Sequence, residues 1–284
     1  MIREIIVHPG GAHKDDFLAC ALLIAKYPVT ISRREPTEAD LADSQVCVVD
    51  VGGDWNEELM NFDHHQFPRD SKPLCAISLV LKHFSLYEDA QKFCDWLEVA
   101  EWFDTCGPVD TGKWLGVERE TLSKLNSPVD ITLLRRFASY TEHNAGQPIW
   151  EVMQMVGEDL HKYLTGMKAK LEEVGRLAEW WDMGFEKKAL FMPRVEPLSA
   201  DASAGMGRFV ADSEFAEETV ALVYPDRRGS GYGMSRFNDD KRLEFVRIGD
   251  EDDVHFAHAK GFIAKTSATD KARLKELIEQ SWIG

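Results

Sequence analysis

In the stretch NFDHHQF (61–67), Asp63, His64 and His65 stand side by side in a chain with only nine histidines. His8, His13, Asp15, Asp16, Asp50 and Asp104 add further imidazoles and carboxylates over the first 104 residues. Mixed imidazole and carboxylate donors suit Mn²⁺, Fe²⁺, Co²⁺ or Zn²⁺, whereas oxygen-only sets suit Mg²⁺ or Ca²⁺. A ligand set this large suggests two ions. Two ions about 3.5–4 Å apart polarise a phosphoryl group and ready a water for in-line attack. Such a pair needs an acid between them, and Asp50, leaving an apolar run through VDVGGD, suits that bridge because the glycines let other groups approach closely. Asp15 is read as a ligand. Asp16 is either a ligand or the cap of the following helix. Asp63 is placed to orient a neighbouring histidine, since metal-bound imidazoles commonly donate their other N–H to a carboxylate. His83, His143 and His161 fall outside the cluster and read as structural or solvated.

These side chains need a scaffold that brings them to one rim. EIIV (4–7) ends at HPGG, the apolar stretch FLACALLIAKY (17–27) reads as a helix, and VTISR (29–33) and VCVVDV (46–51) read as strands. The β-α-β order, with a further all-apolar strand, predicts an α/β fold with a mainly parallel, doubly wound sheet. Ligands of such sheets bind beyond the carboxyl ends of the strands, which is where His8 and Asp50 fall. Helices are expected over 74–84 and 88–104, the latter with Phe93, Trp96, Leu97, Ala100 and Phe103 or Asp104 near one face and with Asp104 just before the breaker CGP, and a long one follows Pro148. KALFMP, ETVALVYP, GYGMSRF and LEFVRI read as short strands and, with a final helix at 270–282, predict a smaller C-terminal α+β domain. The expected division is 1–148 for the metal-binding α/β domain, 149–184 for a connecting helix and 185–284 for the α+β domain.

Composition bounds the partners. Forty-nine acidic against thirty-three basic residues give a net charge of −16, which disfavours wrapping long duplex nucleic acid through a basic face. Five scattered cysteines without a C-x-x-C pair read as reduced core thiols. No run of about 18 apolar residues is present to span a bilayer, and the N-terminus lacks a signal-peptide pattern, so a cytoplasmic protein, with the option of a homo-oligomer, is expected.

HPGGAHKDD (8–16), VVDVGG (48–53), FDHHQ (62–66) and WFDTCG (102–107), in that order, resemble the motifs of the DHH phosphoesterase superfamily. More closely they resemble its melanocyte-proliferating-gene family of exonucleases, and HFAHAKGFIAKT (255–266) is similar to that family's C-terminal histidine-glycine segment. The resemblance implies that His8 and His13 hold one ion together with Asp50. Asp15, Asp50, His64 and Asp104 would hold a second, both usually manganese. It further implies that His65 meets the scissile phosphate, and that the C-terminal domain closes over the cleft with His258 and Gly261 near substrate phosphate, helped by Arg236. His65, Asp50 and Asp63 thereby become the candidate catalytic set. The implied activity is Mn²⁺-dependent hydrolysis of phosphodiesters, as a 3′→5′ exonuclease on short or single-stranded RNA or DNA. The alternatives are hydrolysis of a small phosphate compound such as pyrophosphate or a dinucleotide, and a catalytically silent metal-binding protein.

Overall fold

A computed structural model describes residues 1–198 and 201–284, which divide into two units, 1–165 and 166–284. In the first, β1 (Glu4–Val7), α1 (Lys14–Lys26), β2 (Thr30–Arg33), α2 (Glu38–Leu41) and β3 (Val46–Val49) follow in order. The two-residue strands β4 (Trp55–Asn56) and β5 (Asn61–Phe62) come next. The helices α3 (Ala76–His83), α4 (Tyr87–Phe93), α5 (Asp95–Leu115), α6 (Arg119–Ser123) and α7 (Pro128–Ala138) then lead to β6 (Glu142–His143) and α8 (Pro148–Leu177). The sheet order is β4-β5-β3-β1-β2-β6, with β5, β3, β1 and β2 parallel and the two edge strands antiparallel.

The α/β class and mainly parallel sheet expected from sequence are what the chain forms. All four residues of β3 are buried, as an apolar strand covered on both faces must be. Helix α1 is apolar over most of its surface, with Phe17, Ala19, Cys20, Ala21, Leu22, Leu23 and Ile24 all buried. Along one side α8 lies so close that a Cβ on Gly157 would sit 2.0 Å from the Ala21 carbonyl oxygen. Met153 is core filler, fully buried.

The sequence pattern is modified in two places. The stretch 88–104 is split between α4 and α5, and α5 itself is broken at Gly107, whose φ of 75° follows from the CGP breaker. Of the stripe expected on that stretch, Leu97 is buried but Trp96 and Phe103 are exposed. The long helix stops at Leu177 instead of continuing to 184, because Glu179–Met183 forms a strand. Trp181 is buried there, stacked on Phe191 at 4.4 Å.

The second unit builds a sheet of order β11-β12-β10-β9-β8-β7 from β7 (Glu179–Met183), β8 (Lys187–Phe191), β9 (Thr219–Pro225), β10 (Tyr232–Arg236), β11 (Val254–Ala257) and β12 (Ile263–Thr266). Among the described residues of this sheet only β8 and β9 pair in parallel. Helices α9 (Met206–Ala211) and α10 (Lys271–Ser281) complete this α+β unit. LEFVRI, expected as a strand, instead makes a 3₁₀ turn at Phe245–Ile248, which buries Phe245 and Ile248 three residues apart and exposes Val246.

Candidate metal centre

Strand register alone brings the central pair together. Val7 pairs with Val49 across β1 and β3, so the next residues, His8 and Asp50, emerge side by side at the carboxyl edge. The chain leaves β1 towards β2 on one side, and β3 lies on the other, so the β1/β3 boundary is the switch point of the sheet. Val49 likewise pairs with Phe62 of β5, which sets Asp63 beside Asp50. Asp50 adopts φ 57°, a left-handed conformation unusual for a residue other than glycine and characteristic of strained functional positions. From α1, Asp15 and Asp16 come in at the first turn, where the helix dipole favours negative charge.

Three groups of donor atoms converge here, each within 4.8 Å internally: Asp15, Asp50, His64 and Asp104; His8, Asp16 and Asp50; and Asp50, Asp63, His64 and His65. Asp50 belongs to all three. The first group is the second-ion set implied by the resemblance. His64 Nε2 lies 3.0 Å from both Asp50 Oδ1 and Asp104 Oδ2.

His13 does not join His8 and Asp50 in a donor group, and Asp16 takes that place. The physical reason is the helix start. His13 is the N-cap of α1 and its side chain, 64% exposed, turns towards Asp104, with Nδ1 3.3 Å from Oδ1. Asp16 lies one turn further in and is buried. Its Oδ1 accepts the His13 backbone N–H at 3.0 Å while Oδ2 faces His8 Nδ1 at 3.7 Å. Capping and ligand geometry are thus compatible in one carboxylate.

Asp63 is committed to its own loop. Its Oδ1 accepts from the His64 N–H (2.7 Å), the His65 N–H (3.2 Å) and His65 Nδ1 (2.7 Å), and Oδ2 accepts from the Gly53 N–H (2.6 Å). This carboxylate fixes the His65 ring, which remains 63% exposed. Burial raises the Asp63 carboxyl, yet the hydrogen bonds from His65 and Gly53 outweigh it and hold the group below the usual range.

Electrostatics elsewhere in the cluster are those of crowded buried acids. Desolvation, then Asp104 and Asp50, push Asp15 well above the usual carboxylate range, and desolvation likewise raises Asp50. Burial lowers His64, but hydrogen bonds to Asp104 and Asp50 overcome it and leave the imidazole at about 10. Burial also raises Asp104, but the hydrogen bonds from His13 and His64 prevail and hold it low. His8 is raised chiefly by Asp16, and His13 by Asp104.

Both oxygens of Asp15, Asp16 Oδ2 and His8 Nδ1 are buried without a hydrogen-bond partner. Buried polar atoms left unpaired cost on the order of 1–3 kcal/mol each even in neutral groups, and a cation relieves that cost. The donor chemistry, mixed imidazole and carboxylate, therefore fits a divalent ion.

Arg33, outside the quoted motifs, packs against the cluster. Its side chain is 1% exposed at the end of β2. Nη2 donates to the Gly10 carbonyl at 2.8 Å, Nη1 lies 3.5 Å from Asp16 Oδ2, and the guanidinium sits 4.4 Å over the Phe137 ring. It ties down the loop that presents His8. The signal in the sequence is a cation ending the strand TISR. At Gly10 a Cβ would meet His8 Nε2 at 2.5 Å, so the bare backbone makes room for that ring.

Beside the ligands runs a groove of about 210 Å³, lined by His64, His65 and Asp104 together with residues of the 67–74 loop. Cys106 lines it and is half-buried, unlike the other four cysteines, which are core residues as expected. His143 is buried and hydrogen-bonded to the Phe137 carbonyl, a structural histidine.

In the second unit, Arg236 is 5% exposed and engaged with Glu244, Asp239 and the Leu243 carbonyl, which ties its guanidinium into that fold. The expected phosphate contact therefore has no free guanidinium to make it. His258 Nδ1 accepts the Lys260 N–H at 3.1 Å and its ring packs on Phe262 at 4.1 Å, with Gly261 at φ 69° closing the turn.

Residues 4–88, which hold β1 to β5 and the DHH run, match the profile of the MYG1 exonuclease family, described as an uncharacterised protein family (UPF0160). This segment is similar to the MYG1 exonuclease family. The MYG1 exonuclease of Rattus norvegicus is 39% identical over 78 residues, which is 25% of this chain. The match covers 20% of the rat protein, so the chain spans about a fifth of that relative's length. A solved DHH domain, described as belonging to a member of a family of ribosomal proteins, aligns over 98% of this chain and 85% of its own at 13% identity, with a TM-score of 0.33. Among the described residues no helix is long and apolar enough to cross a membrane.

Proposed function

We propose that this protein is a divalent-metal-dependent phosphoesterase that hydrolyses phosphodiester bonds, acting as a 3′→5′ exonuclease on short or single-stranded nucleic acid. The observation that carries the proposal is the sharing of Asp50 between the Asp15/His64/Asp104 group and the His8/Asp16 group. The MYG1-type match over residues 4–88 supports the same reading.

Asp15, Asp50, His64 and Asp104 would hold one ion and His8, Asp16 and Asp50 the other, with Mn²⁺ among the ions the donor set suits. Such ions, when bound, polarise the phosphoryl oxygens and acidify a water for attack. The chain's own residues do the rest. Asp50 stands between the two groups on a strained backbone that fixes its direction. Asp63 holds the Nδ1–H of His65, which leaves Nε2 to meet the phosphate and move a proton to the leaving oxygen. His258 and Gly261 are proposed as substrate contacts of the second unit. The net charge of −16 and the small volume of the groove favour short substrates over duplexes.

The test is hydrolysis of end-labelled single-stranded oligonucleotides with Mn²⁺, set against phosphate release from pyrophosphate and dinucleotides. Activity on the oligonucleotides that is lost in Asp50→Ala and His64→Ala is the expected result. Full activity in either variant would overturn the mechanism, and turnover confined to the small compounds would overturn the substrate.

A further inference from the structure

The ligand cluster is strongly acidic, with Asp15, Asp16, Asp50, Asp63 and Asp104 around it. Bound cations offset that charge at the scissile phosphate, but a neighbouring phosphate of the same substrate has to meet positive charge supplied by the protein. Arg69 and Lys72 supply it. Both are exposed on the 67–74 loop, and both line the groove that His64, His65 and Asp104 also line. Neither is within salt-bridge distance of an acid among the described residues; Lys72 lies only over the Tyr87 ring, at 5.7 Å. Asp70, between them in sequence, does not line the groove.

The same loop carries an apolar side. Phe67 and Leu74 are half-buried groove residues, and Phe67 stands edge-on to Trp55 at 5.7 Å. Two unpaired cations beside an aromatic edge, next to the proposed ions, match an anion with a flat apolar part, the chemistry of a nucleotide.

Resting on the phosphoesterase reading above, we infer that the 67–74 loop is a substrate subsite. Arg69 and Lys72 bind a second phosphate of a nucleotide chain, next to the one at the ions, and Phe67 takes a base. A substrate with a single phosphate makes no use of this subsite. The loop therefore selects for chains of at least two phosphates.

The experiment compares wild type with Arg69→Ala/Lys72→Ala and with the charge-conserving Arg69→Lys/Lys72→Arg, all Mn²⁺-loaded and checked for equal metal content. For a pentanucleotide, KM in the alanine pair rises about tenfold, the scale expected for two exposed charge contacts, and the conservative pair recovers most of it. For bis(p-nitrophenyl) phosphate, which has one phosphate, KM is unchanged. Binding of a cleavage-resistant phosphorothioate trinucleotide, followed by fluorescence anisotropy, weakens in parallel. The slope of log Kd against log salt drops by about 1.4 in magnitude, as for two contacts on a single strand. Equal loss on both substrates, or unchanged trinucleotide affinity in the alanine pair, overturns the inference. Should wild type cleave neither substrate, the phosphoesterase reading fails, and the anisotropy comparison alone then sustains or overturns the subsite.

Discussion

Asp63→Asn tests whether this carboxylate organises the DHH loop. The aspartate accepts four hydrogen bonds, from the N–H groups of Gly53, His64 and His65 and from the His65 ring. An amide of the same shape has one accepting oxygen. If that oxygen stays with His64 and His65, the new NH₂ faces the Gly53 N–H, and a donor meets a donor. Losing one hydrogen bond to a charged acceptor costs about 1.5–3 kcal/mol, and Gly53 is exposed, so its N–H turns to water without a further desolvation cost. A loss of about 2 kcal/mol, at about 2–4 °C per kcal/mol for a unit of this size, lowers Tm by about 6 °C. The assay is urea and thermal unfolding in chelator, so that metal stabilisation does not enter, with wild type measured in parallel. A change below about 0.5 kcal/mol, the range of ordinary surface substitutions, would refute the assigned role.

Other consequences are as specific. Gly157→Ala drives a Cβ against the Ala21 carbonyl and should destabilise the first unit by about 1–3 kcal/mol, read by urea unfolding. His64→Ala should lose both bound metal and turnover, whereas His65→Ala should keep its metal and lose turnover; metal analysis beside the oligonucleotide assay separates them. Burial pushes the Cys47 thiol up to about 12 and the Cys94 thiol up to about 11, and raises Cys20 and Cys75 further, so these four stay protonated at pH 8. In the native protein a thiol reagent at that pH should therefore label Cys106 alone, and the full set of five only after denaturation, as mass spectrometry of the labelled peptides would show.

The rim of the sheet was legible because apolar β-branched runs announce strands, and parallel strands deliver the residues that follow them to one edge. His8 and Asp50 needed no more than that. The exchange of Asp16 for His13 was not legible, because it depends on which of two residues one turn apart caps α1 and which way the cap turns its ring. Arg33 was hidden for a related reason: its partners, Gly10, Asp16 and Phe137, are distant in sequence and meet only through strand register and helix packing. The end of α8 was misplaced because tryptophans at 180 and 181 continue a helical stripe as readily as they begin a strand. The resemblance offered Arg236 for a phosphate contact, and nothing local in the sequence shows that Glu244 and Asp239 fold back onto it. Helix α6 has five residues, none of them buried, too few for periodicity to register, and α7 fully buries Phe137 alone.

The sharing of Asp50 between two ligand groups is tested most directly by counting ions. Equilibrium dialysis of metal-stripped protein against Mn²⁺ should give two ions per wild-type chain and fewer than one in Asp50→Asn, with His8, Asp15 and Asp104 all unaltered. One ion or none in wild type, or two retained in Asp50→Asn, would contradict it.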